Sequence, residues 1–199
     1  MIEQWSIDRT GHARFSDCET FRYRLSRALS ERAIAVNRHP TGDLTEVKVD
    51  WLVGPLTRIV WLMLNPSTAN AFQLDPTVNE CRKRSIAIGA DVLEVVNLFA
   101  LRSPHPADLK KRALGFRGDD EVNDAEIIAA CTGAYRVVAA WGNGGELDDR
   151  ALVVRRLLAE RGIELHHLGL TGDGNPKHPL ARGKHRIPAE RPLTIWITP

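Results

Sequence analysis

The stretch IVWLMLNPSTAN, from Ile59 to Asn70, joins six apolar residues directly to a polar turn. A short apolar run bounded by turn residues is typical of a buried strand, and Asn-Pro-Ser-Thr is typical of a turn. The stretch therefore predicts a core strand that ends on Asn65, whose side-chain amide offers both donors and an acceptor. Such a junction indicates a functional site only if other strands of the chain end in a similar way.

Strand and helix patterns alternate on the C-terminal side of this stretch. The predicted strands are 58–64, 91–98, 135–141 and 162–169, and the predicted helices between them are 76–88, 119–133 and 146–162. Strands that alternate with helices indicate crossover units and a parallel sheet covered on both faces. We therefore expect an α/β fold, a three-layer α/β/α domain with a mostly parallel four-stranded central sheet.

The N-terminal part is less regular. Ser16 to Glu19 has the spacing of a capping box, and Phe21, Leu25 and Leu29 recur every four residues, which favours a helix. The segment FRYRL (21–25) also alternates as a strand would, so that alternative stays open. TGDLTEV (41–47) predicts a turn between short strands.

Composition sets the class of protein. The chain has 199 residues, 43% of them apolar and 26% charged, as expected of a globular domain. We expect an N-terminal extension (1–57) packed on the core and not independent, followed by one domain (58–199). The odd number of distant cysteines (Cys18, Cys81, Cys131), the lack of a signal-type N-terminus and the lack of a membrane-length apolar run predict a cytoplasmic protein with no membrane association.

Polar segments follow each of the four predicted strands. In an open parallel sheet the carboxyl ends of the strands share one edge, where ligands bind, so these segments should converge there. Each has an ordinary structural alternative, as a turn, a satisfied amide or a flexible loop. The candidate substrate-binding residues in these segments are Leu64, Pro66, Ser67, Asn97, Phe99, Trp141, Gly142, Asn143, Lys177, Leu180 and Arg182.

Two further features bear on chemistry. The net charge of +2 neither predicts nor opposes nucleic-acid binding, but Lys177, Arg182, Lys184, His185 and Arg186 form a basic run that suits a phosphate-bearing partner. The chain has no HExxH, no GxSxG, no Walker lysine and no Cys/His set at metal spacing. We expect no metal and no cofactor.

Several motifs resemble those of known families. WLMLNPSTAN, DVLEVVNLFALRSPHP, VVAAWGNGG and LGLTGDGNPKHPL, across about residues 58 to 182, resemble a widespread bacterial family whose members are mostly described as a domain of unknown function. More distantly, the order and spacing of the elements are similar to the uracil-DNA glycosylase superfamily. Asn65-Pro66 resembles the first motif of its mismatch-specific branch, and His178-Pro179 resembles its last motif.

The superfamily resemblance implies a uracil-DNA-glycosylase-like fold and hydrolysis of an N-glycosidic bond, with the target base flipped into a pocket. It implies that Asn65 orients a water, His178 stabilises the departing base and Asn97 reads the base edge. Asp75 is the candidate carboxylate. This chain departs from the superfamily in having no aspartate in the first motif, and it has Leu180 where a serine is usual.

The remaining roles follow from the same resemblance. Phe99 would stack on the base, Leu180 would fill the gap left by the flipped base, and Trp141 to Gly145 with the basic run would hold phosphates. The expected partner is single- or double-stranded DNA, or a free nucleotide; the sequence leaves the oligomeric state open. Two alternatives remain: a nucleotide or nucleoside N-glycoside hydrolase, and a non-catalytic module that binds a base or a nucleic acid.

Overall fold

The computed structural model describes residues 4–7, 11–37, 55–67, 69, 73–105, 109 and 120–197. Within them the chain forms one mixed sheet of eight strands in the order β1-β2-β3-β5-β4-β6-β7-β8. The strands are β1 (Gln4–Ile7), β2 (Gly11–Phe15), β3 (Arg22–Ala28), β4 (Arg58–Met63), β5 (Val92–Asn97), β6 (Arg136–Ala139), β7 (Leu165–His167) and β8 (Thr194–Ile197). The helices are α1 (Glu31–Asn37), α2 (Pro76–Ala87), α3 (Asp120–Cys131) and α4 (Arg150–Ala159), with 3₁₀ segments at Gly142–Asp149 and Gly183–His185.

The α/β class is confirmed, whereas the expected sheet was too small. β4 pairs in parallel with both β5 and β6, and β6 pairs in parallel with β7. The other described pairings, β1–β2, β2–β3, β3–β5 and β7–β8, are antiparallel. The prediction of a mostly parallel four-stranded sheet is therefore wrong, because antiparallel strands extend the sheet on both sides.

Helices cover both faces of the sheet. The apolar run of β4 alternates between two cores, because successive side chains of a strand point to opposite faces. In the first core, Trp61 packs with Val78 and Cys81 of α2. In the second core, Leu62 packs with residues of α3 and α4, among them Ile127 and Val154.

Helices α2 and α3 form close to their predicted bounds, whereas α4 begins at Arg150 because the predicted residues 146–149 belong to a 3₁₀ segment. Asp75 is the N-cap of α2 and accepts a 2.8 Å hydrogen bond from the Val78 N–H, while Pro76 stands in the first turn. Gly89 and Gly162, which follow α2 and α4, have φ angles of +81° and +67°, a conformation that glycine adopts without strain.

The N-terminal segment forms a hairpin, and the helix expected there from the spacing of Phe21, Leu25 and Leu29 is wrong. Ser16 to Phe21 make the turn, in which the Glu19 N–H donates to the Ser16 carbonyl and Glu19 has a φ of +55°. β3 follows and pairs with β5, Leu25 opposite Val95. Pairing with the edge of the parallel strands outweighs the local periodicity, because it satisfies backbone groups along the whole segment.

Two expectations from the sequence are not tested by the described residues. The predicted turn at 41–47 is outside the described residues. The domain boundary at residue 57 stays a prediction, although β1 to β3 belong to the same sheet as the later strands. Among the described helices, none has both the length and the apolar character to cross a membrane.

Candidate functional site

The polar segments after β5, β4, β6 and β7 meet at one edge of the sheet. The register places Met63 opposite Asn97, and Leu62 opposite Ala139, so the three strands β5, β4 and β6 end at the same level. Beyond them the Gly142 N–H donates a 2.9 Å hydrogen bond to the Pro176 carbonyl, which joins the segment after β6 to the segment after β7. We call this edge the carboxyl edge.

Asn65 is held in one orientation at this edge. Its Nδ2 donates to the carbonyls of Ser103 at 2.9 Å, Pro66 at 3.1 Å and Leu101 at 3.5 Å. Because only an N–H group fits among three carbonyls, the positions of its nitrogen and oxygen are determined. Oδ1 has no hydrogen-bond partner among the described residues and is a fixed acceptor for a water molecule or a ligand.

Asn97 carries a buried donor without a partner. Its side chain is 1% exposed, and its Nδ2 makes no hydrogen bond within the described part of the chain. Leu93 and Val95 of the same strand pack in the first core, so alternation directs Asn97 to the face that α2 covers. An unsatisfied buried amide destabilises a fold, and its presence at a ligand-binding edge indicates a contact with a ligand.

His178 is fixed as a neutral hydrogen-bond donor. Its Nδ1 accepts a 3.1 Å hydrogen bond from the Leu180 N–H, so a neutral ring carries its proton on Nε2. Burial lowers the pKa of His178 below its ordinary value, and the negative charge of Asp75 acts in the opposite direction. The ring is therefore neutral near pH 7.

Asp75 lies on the site side of helix α2. One carboxylate oxygen, Oδ1, caps the helix through the Val78 N–H, and the charge of Asp75 acts on both His178 and Arg22. Its other oxygen has no hydrogen-bond partner among the described residues. The negative charge of Asp75 therefore acts both on the histidine and on the first residue of β3.

Side-chain contacts brace the loops that carry His178. Asn143 Nδ2 donates to Asp173 at 2.6 Å, and Asn175 Nδ2 donates to Glu146 at 2.7 Å. Together with the Gly142–Pro176 bond, they couple the loop after β6 to the loop after β7. At Gly142, whose φ is +70°, an added Cβ would lie 3.9 Å from the Cβ of His178.

Three predicted binding residues lie in the second core instead. Phe99 is 1% exposed and Trp141 2% exposed, both packed among residues that face α3 and α4, and half-buried Leu64 packs against the same cluster. The indole of Trp141 contacts that of Trp196, with ring centroids 5.5 Å apart. The burial of Phe99 argues against the predicted stacking of its ring on a base.

The other predicted residues remain at the carboxyl edge. Pro66 is buried and its carbonyl accepts a 2.9 Å hydrogen bond from Ser103 N–H. Ser67, Lys177 and Leu180 are half-buried, while Asn143 and Arg182 are exposed, as are Lys184, His185 and Arg186. The basic run therefore borders the site as a solvated surface.

The sequence did not reveal the residues that fix the end of β5. Asn123 of α3 donates to the carbonyls of Asn97 and Leu98, both at 3.1 Å, and Arg150 of α4 donates to Leu98 at 2.8 Å. Arg22, at the start of β3, donates to the Ala69 carbonyl at 2.6 Å. The available signal for Asn123 was a polar residue on a helix face that is otherwise apolar. No local signal marked Arg22.

Cation ligands do not cluster in the described residues: no three His, Cys, Asp or Glu side chains come together in a way that could hold a metal ion.

Comparison with known families places the chain. Residues 48–180 match the family model described as "Protein of unknown function (DUF1643)". The chain belongs to the DUF1643 family. The match includes β4 to β7, α2 to α4 and His178, whereas the N-terminal hairpin lies before it. No curated protein and no solved structure matches the chain.

Proposed function

We propose that this DUF1643 protein is an N-glycosidic hydrolase of the uracil-DNA glycosylase type, with a fold of that superfamily, which removes uracil or another deaminated or modified base from DNA in base excision repair. The observation that carries the proposal is the buried Nδ2 of Asn97 at the carboxyl edge, which has no partner among the described residues. An amide offers a donor and an acceptor to the edge of a base, as recognition of a flipped base requires.

The geometry of His178 supports a role with the leaving group. Cleavage places negative charge on the departing base, and a preorganised N–H donor stabilises that charge. A neutral imidazole whose Nδ1 is already occupied by the Leu180 N–H presents its Nε2–H for this purpose. No protonated histidine is required.

Asn65 and Asp75 support the attack by water. Breaking the bond moves its electron pair to the base and leaves positive charge on the sugar, and water then adds to the sugar carbon while its proton leaves. The fixed Oδ1 of Asn65 orients that water, and the carboxylate of Asp75 stabilises the positive charge and accepts the proton.

The test is an excision assay on single- and double-stranded oligonucleotides that carry uracil, hypoxanthine, xanthine or a G·T mismatch, with abasic sites revealed by alkaline cleavage. We expect His178→Ala and Asn65→Ala each to abolish excision while circular dichroism shows an unchanged fold. His105→Ala is the control, since His105 is an exposed histidine with no role in the proposed mechanism. Undiminished excision in either site variant would remove that residue from the mechanism, and no excision by the wild type on any substrate would contradict the proposal.

A second candidate keeps the site and changes the substrate to a free nucleotide or nucleoside. The modest net charge of +2 favours it, because a protein that binds only small ligands needs no extended basic surface. Incubation with 2′-deoxyuridine 5′-monophosphate and with the corresponding oligonucleotide separates the two. Release of uracil from the mononucleotide alone would identify the smaller substrate, and tight salt-dependent binding of the oligonucleotide without release would indicate a binding module.

A further inference from the structure

The N-terminal hairpin brings a buried cation to the carboxyl edge. β3 runs antiparallel to β5, so its first residue, Arg22, lies next to the carboxyl end of β5, and the Arg22 N–H donates a 2.9 Å bond to the Ala100 carbonyl. Arg22 is 1% exposed. Burial lowers the pKa of Arg22 to about 10, Asp75 raises it and Arg102 lowers it, so the group stays charged at neutral pH.

The guanidinium of Arg22 crosses the end of β5. Its Nη1 donates to the carbonyl of Ala69, which belongs to the segment after β4. Because β5 stands between β3 and β4 in the sheet, the side chain spans the end of the strand that carries Asn97. Its Nε has no partner among the described residues. Nε and Nη2 form the side of a guanidinium that binds oxyanions through two parallel bonds.

Arg102 adds a second cation to the same place. Its Nε is also buried and without a partner in the described part of the chain, and its charge acts on Arg22. The hairpin fixes Arg102, because its Nη1 donates to the Glu19 carbonyl at 2.9 Å and its guanidinium lies 4.9 Å from the centre of the Phe15 ring. Its side chain is 27% exposed, so this side of the cluster meets solvent.

Donors outnumber acceptors in this cluster. Among the described residues, the N–H groups without partners are those of Arg22 Nε, Arg102 Nε and Asn97 Nδ2. Two carboxylates act on the arginines: Asp75, one of whose oxygens is already bound to the Val78 N–H, and exposed Glu19, whose Oε2 lies 4.0 Å from Nη1 of Arg102. A planar carboxylate can accept two parallel bonds from one arginine, whereas a tetrahedral phosphate has oxygens for two arginines that approach from different strands.

We propose that Arg22 and Arg102 form a phosphate-binding subsite beside the Asn97 amide, in which the hairpin supplies Arg22 and the segment after β5, within the family-matched region, supplies Arg102. This inference rests on the proposed function: the phosphate bound at the subsite belongs to the nucleotide whose base is recognised. Arg22 forms its buried floor and Arg102 its solvent side. The phosphate comes either from a free nucleotide or from the backbone of a nucleic acid.

Inorganic phosphate tests the subsite without any excision. Calorimetric titration and thermal unfolding compare the wild type with Arg22→Lys and Arg102→Met, with chloride at matched ionic strength as reference. Arg27→Met is the matched control: Arg27 is 6% exposed on the same strand, but it lies towards the opposite edge, where it pairs with Leu93. We expect phosphate to bind the wild type and Arg27→Met, and to bind the two subsite variants about tenfold more weakly or worse.

The outcomes separate this inference from the proposed function. Phosphate that stabilises the wild type no more than chloride does, or that binds Arg102→Met as well as the wild type, would overturn the subsite even if excision occurs. Loss of phosphate binding in Arg102→Met, which is half-exposed and expected to fold, would support it even if no base is released. Titrations with 2′-deoxyuridine 5′-monophosphate, with deoxyuridine and with an oligonucleotide that has no terminal phosphate then show which source of phosphate the subsite accepts.

Discussion

The two ends of the parallel strands differ in how their buried polar groups are satisfied. At the amino end, Glu94 Oε1 accepts from Nε of Arg24 at 2.6 Å and also from its Nη2, and Glu94 Oε2 accepts from Arg58 at 2.7 Å. Asp91 likewise accepts from the Ser30 hydroxyl at 2.6 Å and the Thr57 N–H at 2.9 Å. At the carboxyl edge, by contrast, the donors of Asn97, Arg22 and Arg102 have no partners among the described residues.

The difference distinguishes polar groups that the fold itself satisfies from groups that, in our proposal, a ligand satisfies. A buried group with all its bonds stabilises the fold or at least does not weaken it, whereas an unsatisfied one destabilises it and persists where a ligand completes it. Both ends belong to the same strands, so the contrast does not come from a different type of secondary structure at each end. Substitutions at the two ends should therefore have opposite consequences for stability and activity.

The largest effect should come from the amino end. Glu94→Ala removes the carboxylate that Arg24 and Arg58 share, so we expect it to destabilise the protein by about 3–5 kcal/mol even though Arg24 keeps Glu126 at 3.7 Å. Urea unfolding measures the loss. Glu160→Ala is the control, because the pair of Glu160 with Arg161 is exposed and should contribute less than about 1 kcal/mol. Equal losses in the two variants would show that the amino-end network is not structural.

At the carboxyl edge, removing a buried polar side chain should have the opposite effect on stability. Asn97→Leu removes an unpartnered buried amide, so we expect unchanged stability or a gain of about 1 kcal/mol, together with loss of base binding. Asn123→Leu is the matched control: Asn123 is also 1% exposed, but its Nδ2 makes two hydrogen bonds, so this variant should lose about 1–3 kcal/mol. A destabilised Asn97→Leu protein that still binds the base would contradict this difference between the two ends.

The pH dependence should identify the neutral form of His178 as the active one. Since burial lowers the pKa of His178 in the folded protein, excision should decline only as pH falls below the ordinary value of 6.5. The same shift gives a contribution to stability that is present above that value and is lost as pH falls. Asp75→Asn keeps the helix cap and removes the charge that raises the pKa of His178, so that pKa should fall further, which can be measured without excision.

NMR titration of the His178 ring measures this pKa directly, and the pH–rate profile shows whether the same group controls excision. An acidic limb above 6.5 in the wild type would contradict the lowered pKa of His178, and a ring pKa unchanged in Asp75→Asn would show that Asp75 does not act on the histidine.

The smallest effect distinguishes two glycines with the same backbone conformation. Gly142 and Gly133 have φ angles of +70° and +69°, so substitution by alanine should cost each about 1 kcal/mol. Gly133 precedes β6 and has no atom within 4 Å of an added Cβ, whereas Gly142 faces His178. We expect equal losses in thermal stability and a weaker excision activity for Gly142→Ala alone. Equal activities would show that the turn after β6 does not position the histidine.

The hairpin shows why part of this structure could not be predicted. Phe21, Leu25 and Leu29 have helical spacing, yet the segment from Arg22 forms a strand because the edge of β5 offers it backbone partners. The parallel strands were predictable because their apolar runs are long, uninterrupted and bounded by turns. Phe99 and Trp141 were assigned to binding because they follow strands, whereas only packing determines that they face the second core.

By itself, the sequence determined that strands alternate with helices after residue 57, and that Asn65, Asn97, Gly142 and His178 follow or end the strands. Those conclusions rest on local patterns of apolar and turn residues, which the backbone obeys over short distances. Only the tertiary structure decided that antiparallel strands extend the sheet, that His178 is held as an Nε2 donor and that Arg22 reaches the carboxyl edge. Such contacts join residues far apart in the chain, and their energies depend on burial and on partners that no local pattern encodes.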